Sequence, residues 1–133
     1  MNREILFKAK RKDWRDLPKE QWWIEGLPTR MWRELYIQDS EDENTAYKID
    51  PDTLCQYTGL TDKNGKKILE NDICIIKDGT LDEEDGCFIC KWDDCTARYI
   101  LDGNGLTVDF DNVDARDVEV IGNIFDNADL LGV

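Results

Sequence analysis

The chain contains no histidine in its 133 residues. That removes the side chain most often used as a general base near neutral pH, and also the commonest imidazole metal ligand. Long apolar runs are missing as well, since nothing approaches the ~20 residues that a membrane-spanning helix requires. The opening MNREILFKAKRKDW has an apolar stretch too short for a signal peptide, with charges directly behind it. A cytoplasmic protein with no membrane association is expected. Cysteine occurs in an odd number, five (Cys55, Cys74, Cys87, Cys90, Cys95). Without an export signal, reduced thiols are expected rather than a disulfide framework.

Basic residues are scarce, 17 Lys and Arg against 30 Asp and Glu, a net charge of −13. The imbalance is uneven along the chain. Residues 1–35 hold nine basic and six acidic residues, net +3, whereas residues 36–133 hold eight and twenty-four, net −16. An acidic body repels a nucleic acid backbone and suits basic partners or simple solubility. Only the first quarter has the balance to hold nucleic acid. A composition of 41% hydrophobic and 35% charged residues is that of a soluble globular protein, and the length suits a single domain spanning 1–133.

Short strands separated by turn residues dominate the text. Arg3–Ala9, Gln21–Glu25, Glu34–Gln38, Leu54–Tyr57, Asp72–Lys77, Cys87–Trp92, Ala97–Leu101 and Val118–Ile124 read as strands. Gly26, Pro28 and Thr29 read as breakers between the second and third of these. Pro18–Trp23 has a helical start, and Asp126 or Asn127 is placed to cap a short terminal helical turn through Leu131. Many short strands at close spacing predict a mainly β domain, a small barrel-like or sandwich-like fold with a short C-terminal helical turn.

The most ordered text is Gln56–Asp78. Asn64-Gly65 is the dipeptide favoured where a tight hairpin turn needs positive φ at both central residues. Lys63, Lys66 and Lys67 keep that turn in water, and Ile73–Ile75 begins an apolar run suited to a buried strand. No nucleophile with an adjacent base is present, so the stretch reads as scaffold. Gln56-Tyr57-Thr58-Gly59-Leu60, Asp62-Lys63-Asn64-Gly65, Ile68 and Glu70-Asn71-Asp72-Ile73 together resemble the central motif of the YopX family. Arg3-Glu4-Ile5 and Val120-Ile121-Gly122-Asn123-Ile124 extend the resemblance to both ends. Residues 51–133 are its β core, and residues 1–50 match it less well. Asn71 stands where the family usually carries glycine, and asparagine also tolerates left-handed backbone. The resemblance implies a mainly β fold, an origin in phages and prophages of Gram-positive bacteria, and no agreed activity or catalytic residue.

Three constellations invite chemistry. Cys87, Cys90 and Cys95 would need Cys55 or Cys74 to complete a zinc set, yet on a strand Cys87 and Cys90 point to opposite faces. The acidic run Asp82–Gly86 lacks the ligand spacing of a calcium loop. Asp109, Asp111, Asp114 and Asp117 offer paired carboxylates but no sign of a cleft to split their pKa values. The expectation is therefore no catalytic, metal or cofactor site, and not an enzyme.

Trp14, Trp22, Trp23 and Trp32 lie among basic residues that include Arg11, Lys12 and Arg15. Rings that stack bases beside cations that track phosphates make a single-strand platform conceivable. Large aromatics also dominate small cores and interfaces, and of two adjacent tryptophans on a strand only one can face the core. Core or contact surface is the preferred reading. The leading expectation is a non-enzymatic homo-oligomer acting through contacts with an unidentified host or phage protein. The alternatives are a nucleic-acid-binding module built on Trp14, Trp22, Trp23, Trp32, Arg11, Lys12 and Arg15, or an acidic DNA mimic that inhibits a host protein.

Overall fold

Strands account for most of the regular structure in the computed structural model, which describes residues 4–42, 44–76, 87–103, 105–110 and 114–131. The chain divides into two compact units, Met1–Tyr57 and Thr58–Val133.

In the first unit, β1 (Phe7–Lys10), β2 (Trp23–Met31), β3 (Glu34–Asp39), β4 (Ala46–Lys48) and the start of β5 (Cys55–Thr61) form a sheet in the order β4-β3-β2-β1-β5. The pairings are antiparallel. Ala9, Ile37 and Ile49 form its buried centre, with Phe7, Ile24, Leu35 and Leu54 packed around them. β2 runs straight through the expected breakers. Gly26 is accommodated because a Cβ there would collide with the Gln38 carbonyl oxygen of β3. Pro28 is tolerated because β1 pairs with β2 only as far as Gly26, so the strand's outer edge is open at Pro28 and needs no N–H. Thr53 holds the layer from below. Its Oγ1 accepts the Lys10 N–H at 2.8 Å and donates to the Asp50 carbonyl at 2.7 Å.

In the second unit, β6 (Lys67–Leu69) lies beside the end of β5. A separate sheet has the order β10-β9-β8-β7-β11, from β7 (Asp72–Ile76), β8 (Phe88–Asp93), β9 (Arg98–Gly103), β10 (Leu106–Asp109) and β11 (Val118–Asn123). Its pairings are antiparallel too. Ile68, Cys74, Ile76, Phe88, Cys90, Leu101, Val118 and Val120 make the core, flanked by Tyr99, Val108, Phe110 and Ala115. The β8–β9 hairpin forms where the sequence places it. The terminal turn, Ala128–Leu131, is a 3-10 turn. Asn127 instead turns its Oδ1 back to the Asn123 N–H at 3.1 Å.

The fold is thus mainly β. Among the described residues no sheet closes on itself, which corrects the barrel form of the expectation. Closure requires long, tilted edges that meet, whereas the edge strands β4 and β10 are only three and four residues long. Short edges also blunt unwanted pairing.

The Asn64-Gly65 turn forms differently from its sequence reading. Gly65 has φ +79°, but Asn64 is not left-handed. Asp62 explains this. Its Oδ1 accepts the Asn64 N–H at 2.8 Å and the Lys66 N–H at 2.9 Å, and the Gly65 N–H reaches the Asp62 carbonyl at 3.0 Å. The side-chain turn keeps Asn64 out of the left-handed region and leaves Gly65 as the left-handed residue of the loop.

Candidate functional site

Three of the four N-terminal tryptophans converge on one lysine. Lys10, at the end of β1, is only 2% exposed. Its ammonium lies 3.9 Å from the Trp14 ring centroid, 4.6 Å from Trp22 and 5.5 Å from Trp23. A desolvated cation over indole faces is attracted by the ring quadrupole, by about 2 kcal/mol when water is excluded. Trp14 and Trp22 meet edge to face at 4.8 Å, and Trp22 Nε1 donates to the Leu17 carbonyl at 2.8 Å. The Arg15 guanidinium covers Trp14 at 4.5 Å, and Lys8 covers Trp23 at 4.5 Å.

The alternation argument for Trp22 and Trp23 does not apply. Trp22 is in right-handed helical backbone after the Lys19–Gln21 turn, and β2 begins only at Trp23. Both rings therefore reach the same cation. Arg11 and Lys12 are engaged elsewhere. Arg11 stacks on Tyr47 at 4.6 Å and pairs with Asp13 at 3.1 Å. Lys12 pairs with Glu34 at 3.1 Å, and this hydrogen bond and charge hold the Glu34 carboxyl below its ordinary range.

Trp32 is not part of this cluster. It is 90% exposed at the tip of the β2–β3 hairpin, where Met31 pairs with Glu34 and the two turn residues are Trp32 and Arg33. Both are left-handed, at φ +54° and +67°. This is the primed two-residue turn that normally calls for Asn-Gly. Left-handed backbone costs an ordinary L-residue about 1–2 kcal/mol. Arg30, Met31 and Arg33 are also exposed, and no ion pair holds Arg30 or Arg33 among the described residues. The tip is therefore strained, cationic and aromatic.

The remaining candidates are dispersed. Cys90 is in the core, Cys95 is exposed in the β8–β9 turn, and Cys87 Sγ lies 3.5 Å from the Leu130 carbonyl. Burial pushes the Cys74 thiol far above its ordinary range. Among the described residues no three acidic or cysteine side chains converge to hold a metal. Asp109 pairs with Arg98 at 3.2 Å, and Asp114 with Arg116 at 2.7 Å, a contact that holds the Asp114 carboxyl down to about 2. Asp111 and the run Asp82–Gly86 lie outside the described residues. Among the described residues no helix is long and apolar enough to cross a membrane.

Sequence reasoning missed Lys10 as the centre of the aromatic cluster and Arg33 as half of the turn. It also missed a cleft at the base of the same hairpin. Exposed Ile5 and Leu27 line that cleft together with Glu4 and Asp39. Ile5 and Leu27 are the available signal, as apolar residues set among charged and turn-forming ones.

These features define an antiparallel β protein of two units whose most exposed tryptophan is displayed on a strained hairpin tip. Residues 7–132 match the YopX protein family, and the chain belongs to that family. A solved structure, protein EF1440 from Enterococcus faecalis, is similar in fold, with a TM-score of 0.57 and 22% identity over 98% of this chain and 99% of that one. Comparison with curated proteins gave no match.

Proposed function

We propose that the chain is a non-enzymatic accessory protein of phage or prophage origin that works through protein–protein contacts, with the β2–β3 tip as the contact. The observation that carries this reading is Trp32, 90% exposed in a left-handed turn beside Arg33. Exposed tryptophan is a solubility cost, and a turn built from Trp-Arg is a stability cost. A sequence that keeps both where Asn-Gly would relieve both is selected for what the tip touches. Tryptophan and arginine are also the side chains most enriched at energetic centres of interfaces.

The nucleic-acid reading is less favoured. The Lys10 ammonium lies against Trp14, Trp22 and Trp23, and Arg15 and Lys8 lie over Trp14 and Trp23, so bases would have to displace resident cations to stack. The DNA-mimic reading wants a continuous negative face, whereas Asp102, Asp109 and Asp114 each sit beside a basic partner. The test is capture of host proteins by tagged wild type and by Trp32→Ala, alongside a low-salt titration with a single-stranded oligonucleotide. A stoichiometric partner lost on Trp32→Ala supports the contact reading. Salt-sensitive oligonucleotide binding without such a partner supports the other.

A further inference from the structure

Trp32 is at one end of the β2–β3 hairpin, and the Ile5–Leu27 cleft is at the other. The cleft holds about 340 Å³, within the range of small binding pockets and ample for one indole. Ile5 is 63% exposed and Leu27 51%, a cost in water that an inserted ring would remove. Glu4 and Asp39 in its lining are opposite in charge to Arg33 and Arg30 at the tip. Alternation along β2 sets Leu27, Thr29 and Met31 on one face, which links cleft to tip. Leu27 and Met31 are four residues apart, about 14 Å at strand rise.

Resting on the contact reading above, we infer that the tip's partner is a second copy of this chain, and that Trp32 of each copy enters the cleft of the other. Two hairpins laid antiparallel about a two-fold axis bring each tip onto the opposite cleft. Residue i then meets j while j meets i, the closed form of self-association. The axis falls midway between cleft and tip, beside Thr29, which is exposed and lies opposite Tyr36 in the register. Pro28 on the open edge of β2 keeps the two hairpins from fusing into one continuous sheet. Side chains therefore carry the contact, and one indole and one cleft per copy are used up with none left over.

The experiment is sedimentation equilibrium of the full chain up to about 1 mM, a range that registers even weak association. Wild type is expected to dimerise. Trp32→Ala and Leu27→Arg, both at exposed positions, are each expected to weaken the dimer by about 30-fold or more. An equimolar mixture of the two variants should associate more tightly than either alone, because one supplies the cleft and the other the indole. Thr29→Cys in a Cys95→Ser background should form a disulfide-linked dimer under mild oxidation, and Cys95→Ser alone should not. A monomeric wild type overturns the inference, and so does a dimer indifferent to both substitutions. If Trp32→Ala then still loses a captured host protein, the tip remains a contact for a foreign partner. If that capture is also unchanged, the contact reading falls with it. A salt-sensitive oligonucleotide complex abolished by Trp32→Ala, with no dimer, overturns the inference in favour of nucleic acid.

Discussion

The Asp62 carboxylate accepts the Val120 backbone N–H at 2.9 Å, across 58 residues of sequence. The same side chain, 3% exposed, also accepts the Asn64 and Lys66 amides, so it ties the loop after β5 to β11 within the second unit. The Lys63 N–H adds a bond to the Val118 carbonyl at 2.9 Å. The residues that carry the family motif are the ones that hold this unit together. Thr58 donates to the Ile68 carbonyl at 2.7 Å, and Asp72, also buried, accepts the Leu69 N–H at 2.8 Å.

Removing Asp62 should therefore be costly. Asp62→Ala leaves the buried Val120 amide and two part-buried amides without their acceptor and is expected to lose about 3 kcal/mol in urea unfolding. The pH dependence follows from its charge. Burial acts to raise the Asp62 pKa, but the Val120, Lys66 and Asn64 amides outweigh it and hold it below the ordinary carboxylate value. A depressed folded pKa stabilises fully above the unfolded value of about 3.9, and that stabilisation is lost as pH falls through the folded pKa. Wild type should lose stability more steeply below about pH 4 than Asp62→Asn, whose amide does not titrate there.

The left-handed positions make a sharper test of the turn. Gly65→Ala has open space but sits at φ +79°, and it is expected to cost about 1 kcal/mol from backbone strain alone. Asn64→Ala, exposed and outside the left-handed region, should stay within about 0.5 kcal/mol. Asn71 is at φ +69°. Asn71→Gly should be more stable than Asn71→Ala, since both lose the side chain and only one keeps a Cβ in that region.

Gly122 sits where β11 shifts register against β7, between Val120 and Gly122. A Cβ there would lie 2.6 to 2.8 Å from three atoms of the Asn127 side chain. Gly122→Ala should destabilise by about 1–3 kcal/mol through that overlap. Asn127→Ala alone loses the bond to the Asn123 N–H. The double variant should cost less than the two singles added together, because the Oδ1 and Cγ overlaps vanish with the amide and only the Cβ contact at 2.8 Å is left.

Much of this arrangement is legible in the sequence, and the rest fails for identifiable reasons. Alternation and turn residues locate most strands. Strand limits slip where tertiary contact overrides local preference, as at Gly26 and Pro28 in β2. The Asn64-Gly65 reading misplaces one φ because Asp62, two residues upstream, decides it. The primed turn falls instead at Trp32-Arg33, a pair with no turn propensity, so pattern reasoning could not find it. The Trp14, Trp22 and Trp23 cluster is visible as composition, but its centre is not. A lysine on a short strand reads as solvated until the fold closes three rings over it.

Lys10 is accordingly the place where composition misleads most about stability. Lys10→Ala removes a buried stem and its ammonium from among three indoles and should cost about 3 kcal/mol. Lys10→Met keeps the packing volume and should cost about 1 kcal/mol, the difference between variants reading the stem. Tryptophan emission should shift in both, since the cation leaves the ring faces in each. A Lys10→Met variant as stable as wild type, with unchanged emission, would show that the ammonium adds nothing there.

The hairpin tip offers the opposite trade. Replacing Trp32-Arg33 with Asn-Gly gives the turn the residues its two positive φ values call for. The double variant is expected to unfold at higher urea, with a gain of about 1–2 kcal/mol from relieved backbone strain. It should also lose self-association, because the indole is gone. Trp32→Ala separates the two effects, since alanine keeps a Cβ in left-handed backbone while removing the ring. It should lose association without gaining stability. A double variant that is no more stable than wild type would mean that the left-handed turn stores no strain, and the case that its residues are kept for contact would lose its main support.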